Sequence, residues 1–324
     1  MLIQVMYFTE NGKTLYEKLK EACPNYVLTD EYSVERAFYL HIPIIFIGAT
    51  GIAVRSISPF VKDKLIDSPV IVIDELGQFV IPLLSGHVGG ANAISKNIAN
   101  AIDATPVITT ATDINDVFAI DVFAVKNGLR IVNKEMIKNV SSKLLKGETI
   151  VIKNELNNVT FEGDQPKNVI LNEKADNPDV IITEDSEENL NALTLVPRKT
   201  ILGMGCKKDK QFQELFRFVS SEFDVDKLKK DIYAITSIDV KAREVGLLAL
   251  ASYLDTYFIT FSAEELKKVE GHFNSSSFVR ETVGVDNVSE RSAVELGAVL
   301  IKEKIARDGM TLAVAKRELR SLVW

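Results

Sequence analysis

The chain has 324 residues, 46% of them hydrophobic and 26% charged, with a net charge of -7. That length suggests two or three domains with sizeable cores, and no apolar run approaches the roughly 20 residues a membrane span requires. Two distant cysteines, Cys23 and Cys206, and three histidines, His41, His87 and His272, supply neither a disulfide framework nor a zinc cluster. The opening MLIQVMYF is too short an apolar block for a signal sequence and lacks a basic lead, so a cytoplasmic protein is expected. Residues 197–324 hold 21 Lys+Arg against 19 Asp+Glu, whereas residues 1–196 hold 17 against 26. The last third is therefore the better holder of an anionic ligand, and nothing reads as a nucleic-acid arm.

In chain order, Ile3 to Phe8 reads as a strand, Thr14 to Ala22 as an amphipathic helix and Tyr26 to Thr29 as a short strand. Ser33 to Leu40 reads as a helix, and the continuous apolar run IPIIFIGA (Ile42 to Ala49) as a buried parallel-type strand. Gly48 and Gly51 then bracket a strand-to-helix turn, with Arg55 one helical turn on. SPVIVIDELGQFVIPLL gives two strands around a Glu75 to Gly77 turn. It runs into LLSGHVGGAN, where Gly86, Gly89 and Gly90 allow close approach of a ligand to the backbone, and ANAISKNIANAI follows at helical spacing. A strand, a glycine-rich turn and a helix point backbone N–H groups and a positive helix end at whatever sits above the turn, which suits an anion or a developing oxyanion. TPVITTATD (Thr105 to Asp113) reads as a further strand with a hydroxyl-rich exit. In doubly wound sheets ligands bind beyond the carboxyl ends of strands, so the GATG, SGHVGG and TTATD exits are expected to converge.

From Val125 to Val196 the pattern changes to a helix near Lys134 to Leu145 and short β-rich runs, TIVIK, NVTFEG and DVIITE, with EDSEEN (Glu184 to Asn189) as an acidic loop. RKTILGMGC then opens a third segment as a strand running into Gly203 and Gly205. An amphipathic helix, the strand IYAITSID, the helix VKAREVGLLALASYL with Asp239 as N-cap, and the strand TYFITF follow. SAEELKKV is a helix with Ser262 and Glu265 at capping-box spacing, NVSERSAVELGAVL a helix, and MTLAVAKREL a closing strand. The expected fold class is α/β: an N-terminal doubly wound α/β domain over 1–124, a small β-rich middle domain over 125–196 and a C-terminal α/β domain over 197–324.

LGMGC resembles the opening of a dinucleotide fingerprint, but Lys208 stands where the third glycine belongs. No G-x-S-x-G elbow, P-loop or HExxH occurs, and Ser85 beside His87 lacks an evident orienting acid, which argues against a serine hydrolase. Lys241 and Glu244, three apart on the expected helix, read either as a surface ion pair or as groups at a strand's carboxyl end. Glu290 lies near a turn preceded by GVDN, in a similar mouth.

LSGHVGGAN with GATGIAVR before it and TPVITTATD after it, followed in order by LGMGC, SIDVKAREVGL, FSAEEL and VSERSAVELG, resembles the cobalt-precorrin-5A hydrolase family of anaerobic cobalamin biosynthesis, known as CbiG. VSERSA departs from the family's usual segment there, although Glu290 retains its acid. The resemblance implies an enzyme that opens the δ-lactone of a ring-contracted cobalt corrinoid with water and then releases acetaldehyde. It implies no cofactor of the chain's own, the cobalt being carried by the substrate. Expected partners are this corrinoid, other enzymes of the cobalamin pathway and a second copy of the chain, with no nucleic acid and no membrane.

On that resemblance His87 is expected as general base, with Glu244 or Glu290 managing the proton of carbon-carbon cleavage, and Gly89 and Gly90 N–H groups as oxyanion donors. His87 has a second reading as an axial cobalt ligand. Arg55, Lys207, Lys208 and Lys241 are expected to bind the substrate's acetate and propionate groups. Gly48, Gly51, Ser85, Gly86, Asn92, Gly203 and Gly205 complete the expected substrate-binding set, with the site at the junction of the first and third segments. The competing readings are a non-catalytic corrinoid carrier, which would not need His87, and a nucleotide-dependent oxidoreductase built on the Gly203 turn.

Overall fold

A computed structural model describes residues 1–63, 66–87, 89–115, 117–185, 189, 191–274 and 283–324. The segment Ser186 to Glu188 of the expected acidic loop and Val88 of the glycine-rich turn lie outside them. Contacts divide the chain into two compact units: residues 1–107 with 200–317, and residues 108–199 with 318–324.

The chain opens with β1 (Leu2–Tyr7), α1 (Glu10–Ala22), β2 (Val27–Thr29), α2 (Val34–Tyr39), β3 (Ile44–Ile47), α3 (Thr50–Ile57), β4 (Val70–Ile73), β5 (Phe79–Leu84), α4 (Ala91–Ile102) and β6 (Thr105–Pro106). The sheet order is β2-β1-β3-β4-β5-β6. Successive side chains of a strand point to opposite faces, and here both faces are covered. Ile44, Phe46, Val70 and Val72 face α2 and α3, whereas Ile45, Ile47, Ile71 and Ile73 face α1 and α4. That double burial is why these strands read as unbroken apolar runs.

Strands β1 to β4 are parallel, but β5 pairs antiparallel with β4, and β6 runs with β5. The Asp74 carboxylate makes this reversal, accepting the amides of Gln78 and Phe79 at 2.8 and 2.7 Å while Gly77 takes φ +68°. The reversal corrects the expected convergence of strand exits. The SGHVGG turn lies beside Pro69, at the amino end of β4, while GATG lies at the carboxyl end of β3. TTATD also departs from expectation: β6 is only two residues long, and Ala111–Ile114 forms the short helix α5 of the second unit.

That second unit continues with α6 (Ile120–Lys126), β7 (Leu129–Ile131), α7 (Met136–Leu145), β8 (Ile150–Asn154), β9 (Thr160–Glu162), β10 (Val169–Leu171), β11 (Val180–Ile182) and β12 (Leu193–Pro197). Its sheet has the order β10-β8-β11-β12-β7, parallel except at β7. The buried Asn133 side chain splices the chain here, donating to the carbonyls of Asn189 and Ala192 and accepting the Thr194 amide at 2.8 Å.

The first unit resumes with β13 (Thr200–Cys206), α8 (Phe212–Glu222), α9 (Val225–Asp231), β14 (Ile232–Ile238), a 3-10 turn (Asp239–Lys241), α10 (Val245–Tyr253), β15 (Tyr257–Phe261), α11 (Ala263–Lys268), α12 (Val288–Val294), β16 (Val299–Arg307) and β17 (Met310–Lys316). The sheet order is β15-β14-β13-β17-β16. Two expectations change: the helix expected over Asn287 to Leu300 stops at Val294, and Val299 onward is an edge strand. The last strand, β18 (Ser321–Val323), pairs with β9 in the second unit, and Trp324 stacks on Phe161 with ring centroids 4.8 Å apart.

Helix α10 is apolar nearly all round, as a helix buried on every side must be. Leu247, Leu248, Leu250 and Leu254 join one core with Phe46, Val70 and Val72 of the N-terminal sheet and with Phe212, Leu215 and Phe218 of α8. Where this core reaches the turn before β3, the His41 carbonyl accepts from Ser252 Oγ at 2.8 Å and His41 itself takes φ +54°. Burial, then the nearby Lys229 charge, hold its imidazole below the ordinary value of 6.5, against weaker opposing pulls from Asp255, the Ile66 backbone and Asp67. The unfolded chain thus takes up this proton before the folded one. Stability is full above the ordinary histidine value and falls as pH is lowered through it toward the folded value. Urea midpoints measured at about pH 7.5 and about pH 5.5 will show the loss in the wild type. H41N, which tolerates left-handed backbone, will flatten it.

Candidate active site

Strands β13 and β14 run parallel and deliver Cys206 and Ile238 to one edge of their sheet. Antiparallel β17 pairs Met310 with Cys206, so the β16–β17 turn reaches the same edge. There a cavity of about 1220 Å³ opens, larger than the roughly 300–1,000 Å³ of ordinary small-molecule pockets. Glu31 and Tyr32, just before α2, and Arg36, in its first turn, complete its wall. Both the first and the third segments of the chain therefore contribute to it.

Among the described residues, seven basic side chains line the cavity against three acidic ones, which suits a ligand carrying several carboxylates. The expected Gly205, Lys207, Lys208, Lys241 and Glu244 are all among the lining residues. Lys241 and Glu244 do not share a helix. The helix expected from Asp239 is replaced by the 3-10 turn, which contains Asp239, and Glu244 stands as N-cap of α10. Their ion pair spans 2.7 Å with side chains only 15% and 8% exposed, so it is no solvated surface pair. One carboxylate oxygen of Glu244 takes the Lys241 ammonium and the other accepts the Asp209 amide at 2.7 Å. Gly246 is required just beyond, because a Cβ there would lie 2.0 Å from the Lys210 carbonyl. The Val245 and Gly246 amides, in the first turn of α10, have no acceptor among the described residues and border the cavity.

Cys206 also lines the cavity, but burial pushes its thiol up to about 11, with Lys241 pulling the other way. It is protonated near neutrality and unsuited to nucleophilic attack. Iodoacetamide will label Cys206 slowly at about pH 8 in the folded protein and rapidly once the chain is unfolded in urea.

The remaining expected residues lie elsewhere. Gly203 meets helix α12: a Cβ would fall 1.8 Å from the Ser289 carbonyl, so its role is packing rather than ligand contact. In the SGHVGG turn, buried Ser85 donates to the Asp67 carbonyl at 2.8 Å, and the Asn92 side chain fills the space beside Gly86. The Gly90 amide donates to the His87 carbonyl at 2.9 Å, and Ala91 and Asn92 donate to the carbonyls of Ser85 and Gly86. These amides are spent within the turn, which corrects the expected oxyanion role of Gly90; Gly89 packs against Ser85 and Pro69. His87 is half-buried on this turn, at the sheet end opposite GATG, and does not line the cavity. Gly48 precedes α3 at the carboxyl end of β3, and Gly51 and exposed Arg55 lie within that helix, all outside the lining.

Glu290 departs furthest from a proton-managing role. It is fully buried and absent from the lining. Its Oε1 accepts from Lys304 N at 2.6 Å and Asn274 Nδ2 at 3.1 Å, and its Oε2 from Asn287 Nδ2 at 2.6 Å and Asn274 N at 2.9 Å. The acid ties α12 to β16 and to the segment after α11. Removing it strands buried donors, so E290A will lose about 2–4 kcal/mol in guanidinium unfolding.

Sequence reasoning missed Tyr32 and Arg36. The i, i+4 spacing of an aromatic and a cation at a helix start was the available signal, and it is an unspecific one.

Three family models match the chain in order: Cobalamin synthesis G N-terminal at residues 33–113, Cobalamin biosynthesis central region at 118–197 and Cobalamin synthesis G C-terminus at 200–315. A cobalt-precorrin-5A hydrolase of Salmonella typhimurium is 36% identical over 296 residues, covering 87% of this chain and 84% of its own. The chain belongs to the cobalt-precorrin-5A hydrolase family. Another relative of that name, from Priestia megaterium, is 29% identical and covers 84% of this chain and 78% of its own. Within this hydrolase family frame, the basic cavity of the first unit is the candidate active site.

Proposed function

We propose that the chain opens the δ-lactone of cobalt-precorrin-5A with water and releases acetaldehyde to give cobalt-precorrin-5B, in the anaerobic route to cobalamin (vitamin B12). The observation that carries this reading is the 36% identity, over 87% of the chain, to a hydrolase of that name. The cavity supports it with size and charge: a macrocycle bearing several carboxylates asks for a large, cation-lined space. The cobalt enters as part of the substrate, with no cofactor of the chain's own, and the reaction belongs to the cytoplasm.

The site's groups divide the work as follows. Glu244, oriented by Lys241 and the Asp209 amide, takes a proton from the attacking water. The Val245 and Gly246 amides, at the positive end of α10, receive the tetrahedral oxyanion. Collapse breaks the lactone C–O bond, leaving a carboxylate on one side and a secondary alcohol on the other. Loss of that alcohol's proton then lets the bond between carbinol carbon and ring break. Acetaldehyde leaves, and the electron pair stays on the ring carbon, which takes up a proton. Lys207 and Lys208 hold substrate carboxylates at the β13 exit.

The test is anaerobic incubation with cobalt-precorrin-5A, assaying acetaldehyde. E244Q will lower kcat about 100-fold or more, while H87A will stay within about threefold of wild type. The reverse pattern would move the chemistry to the SGHVGG turn, with His87 as base. Pigment bound without acetaldehyde would return the carrier reading.

A further inference from the structure

Of the seven basic residues around the cavity, four are already engaged. Lys210 pairs with Glu214, Lys241 with Glu244, Arg243 donates to the Pro24 carbonyl, and Lys304 to the Asn274 carbonyl. The charged ends of Lys207, Lys208 and Arg36 have no ion pair or hydrogen bond among the described residues. The two lysines sit together where β13 ends. Arg36 comes from α2, on a wall built by a different part of the chain.

Arg36 is held differently from the lysines. Its guanidinium carbon lies 4.8 Å from the centroid of the Tyr32 ring, a stacking that leaves the guanidinium edge free to donate. Tyr32 is itself fixed: its amide donates at 2.7 Å to Oε1 of Gln4, a strand residue only 1% exposed whose Nε2 donates to the Val5 carbonyl. The Arg36 amide in turn donates to Ser33 Oγ at 3.2 Å. The arginine thus rests on the ring of a residue whose backbone is tethered to the sheet, and it lines an open cavity. A preorganised planar fork matches a carboxylate better than a flexible ammonium does.

We infer that Arg36, propped on the Tyr32 ring, recognises a peripheral carboxylate of the substrate macrocycle from the N-terminal wall of the cavity, opposite in origin to the lysines at the β13 exit. This rests on the reading of the cavity as the cobalt-precorrin-5A site. Tyr32 is a positioning residue, acting through Arg36. Carboxylates spread around a flat ring then meet cations from two separate parts of the chain, which fixes the ring's orientation as well as its affinity.

The full-length protein and its R36Q, R36K, Y32L and Y32F variants are to be compared for acetaldehyde release across a range of cobalt-precorrin-5A concentrations. R36Q will raise KM about tenfold with kcat within about twofold, and R36K will fall between it and the wild type. Y32L will raise KM about threefold or more while Y32F, which keeps the ring, will not. An unchanged KM in R36Q overturns the assignment, as does a loss of kcat at constant KM. If the wild type binds the pigment but releases no acetaldehyde, the hydrolase reading fails alone. The same series is then read as Kd from corrinoid absorbance, where weakening of about tenfold in R36Q supports the carboxylate contact and no change overturns it. A wild type that neither binds nor turns over overturns both.

Discussion

The burial of helix α10 is the constraint on which the first unit depends. Its leucines reach both the N-terminal sheet and the third sheet's helices, in one continuous core. Each large apolar side chain so buried contributes about 1.5–3 kcal/mol. A segment this apolar could not stand exposed on either part alone, so the two parts are obliged to share it. The same helix begins at the cavity, with Glu244 as its N-cap and the 3-10 turn of Lys241 just before it. Packing far from the chemistry thereby sets where the carboxylate and the helix amides stand.

Charge is distributed along the same lines. Engaged cations such as Lys241 and Arg243 hold the cavity's own parts together, while Arg36, Lys207 and Lys208 face open space. A site that must accept a polyanion and still fold in its absence has to limit the number of unscreened like charges. Pairing Lys210 with Glu214 and Lys241 with Glu244 limits that repulsion. Glu290 serves the same economy one layer down: a buried carboxylate is tolerable only when its lone pairs are filled, and four donors fill them.

Much of this was legible in the sequence where local rules decide. Continuous apolar runs announced β3 and β4 because both faces of their sheet are covered, and the Glu75 to Gly77 turn announced a chain reversal. The consequence of that reversal was not legible. Whether β5 returns beside β4 or crosses to run parallel depends on pairing, not on periodicity, and the choice decides which end of the sheet receives the SGHVGG turn. Lys241 and Glu244 were legible as a pair, but their withdrawal from solvent depends on the loop around Asp209 and on α10. Tyr32 and Arg36 carried no distinctive pattern because their wall exists only once residues some 200 positions later have packed, as the cavity's lining makes plain. Glycines divided in the same way: Gly203 and Gly205 look alike in LGMGC, yet one faces a helix carbonyl and the other the cavity.

The two-part first unit bears on how the polypeptide emerges from the ribosome. The face of the N-terminal sheet carrying Ile44, Phe46, Val70 and Val72 is completed by α10, which ends at Tyr253. At elongation rates of about 5–20 residues per second, roughly 10–40 s pass between synthesis of that face and arrival of its cover. Residues 108–199, all of the second unit except its closing segment 318–324, are made within this interval. A nascent chain of this kind carries a half-finished core through most of its own translation, and its yield in the cell is tied to translation speed and to chaperones that shield apolar surface as much as to the stability of the finished fold.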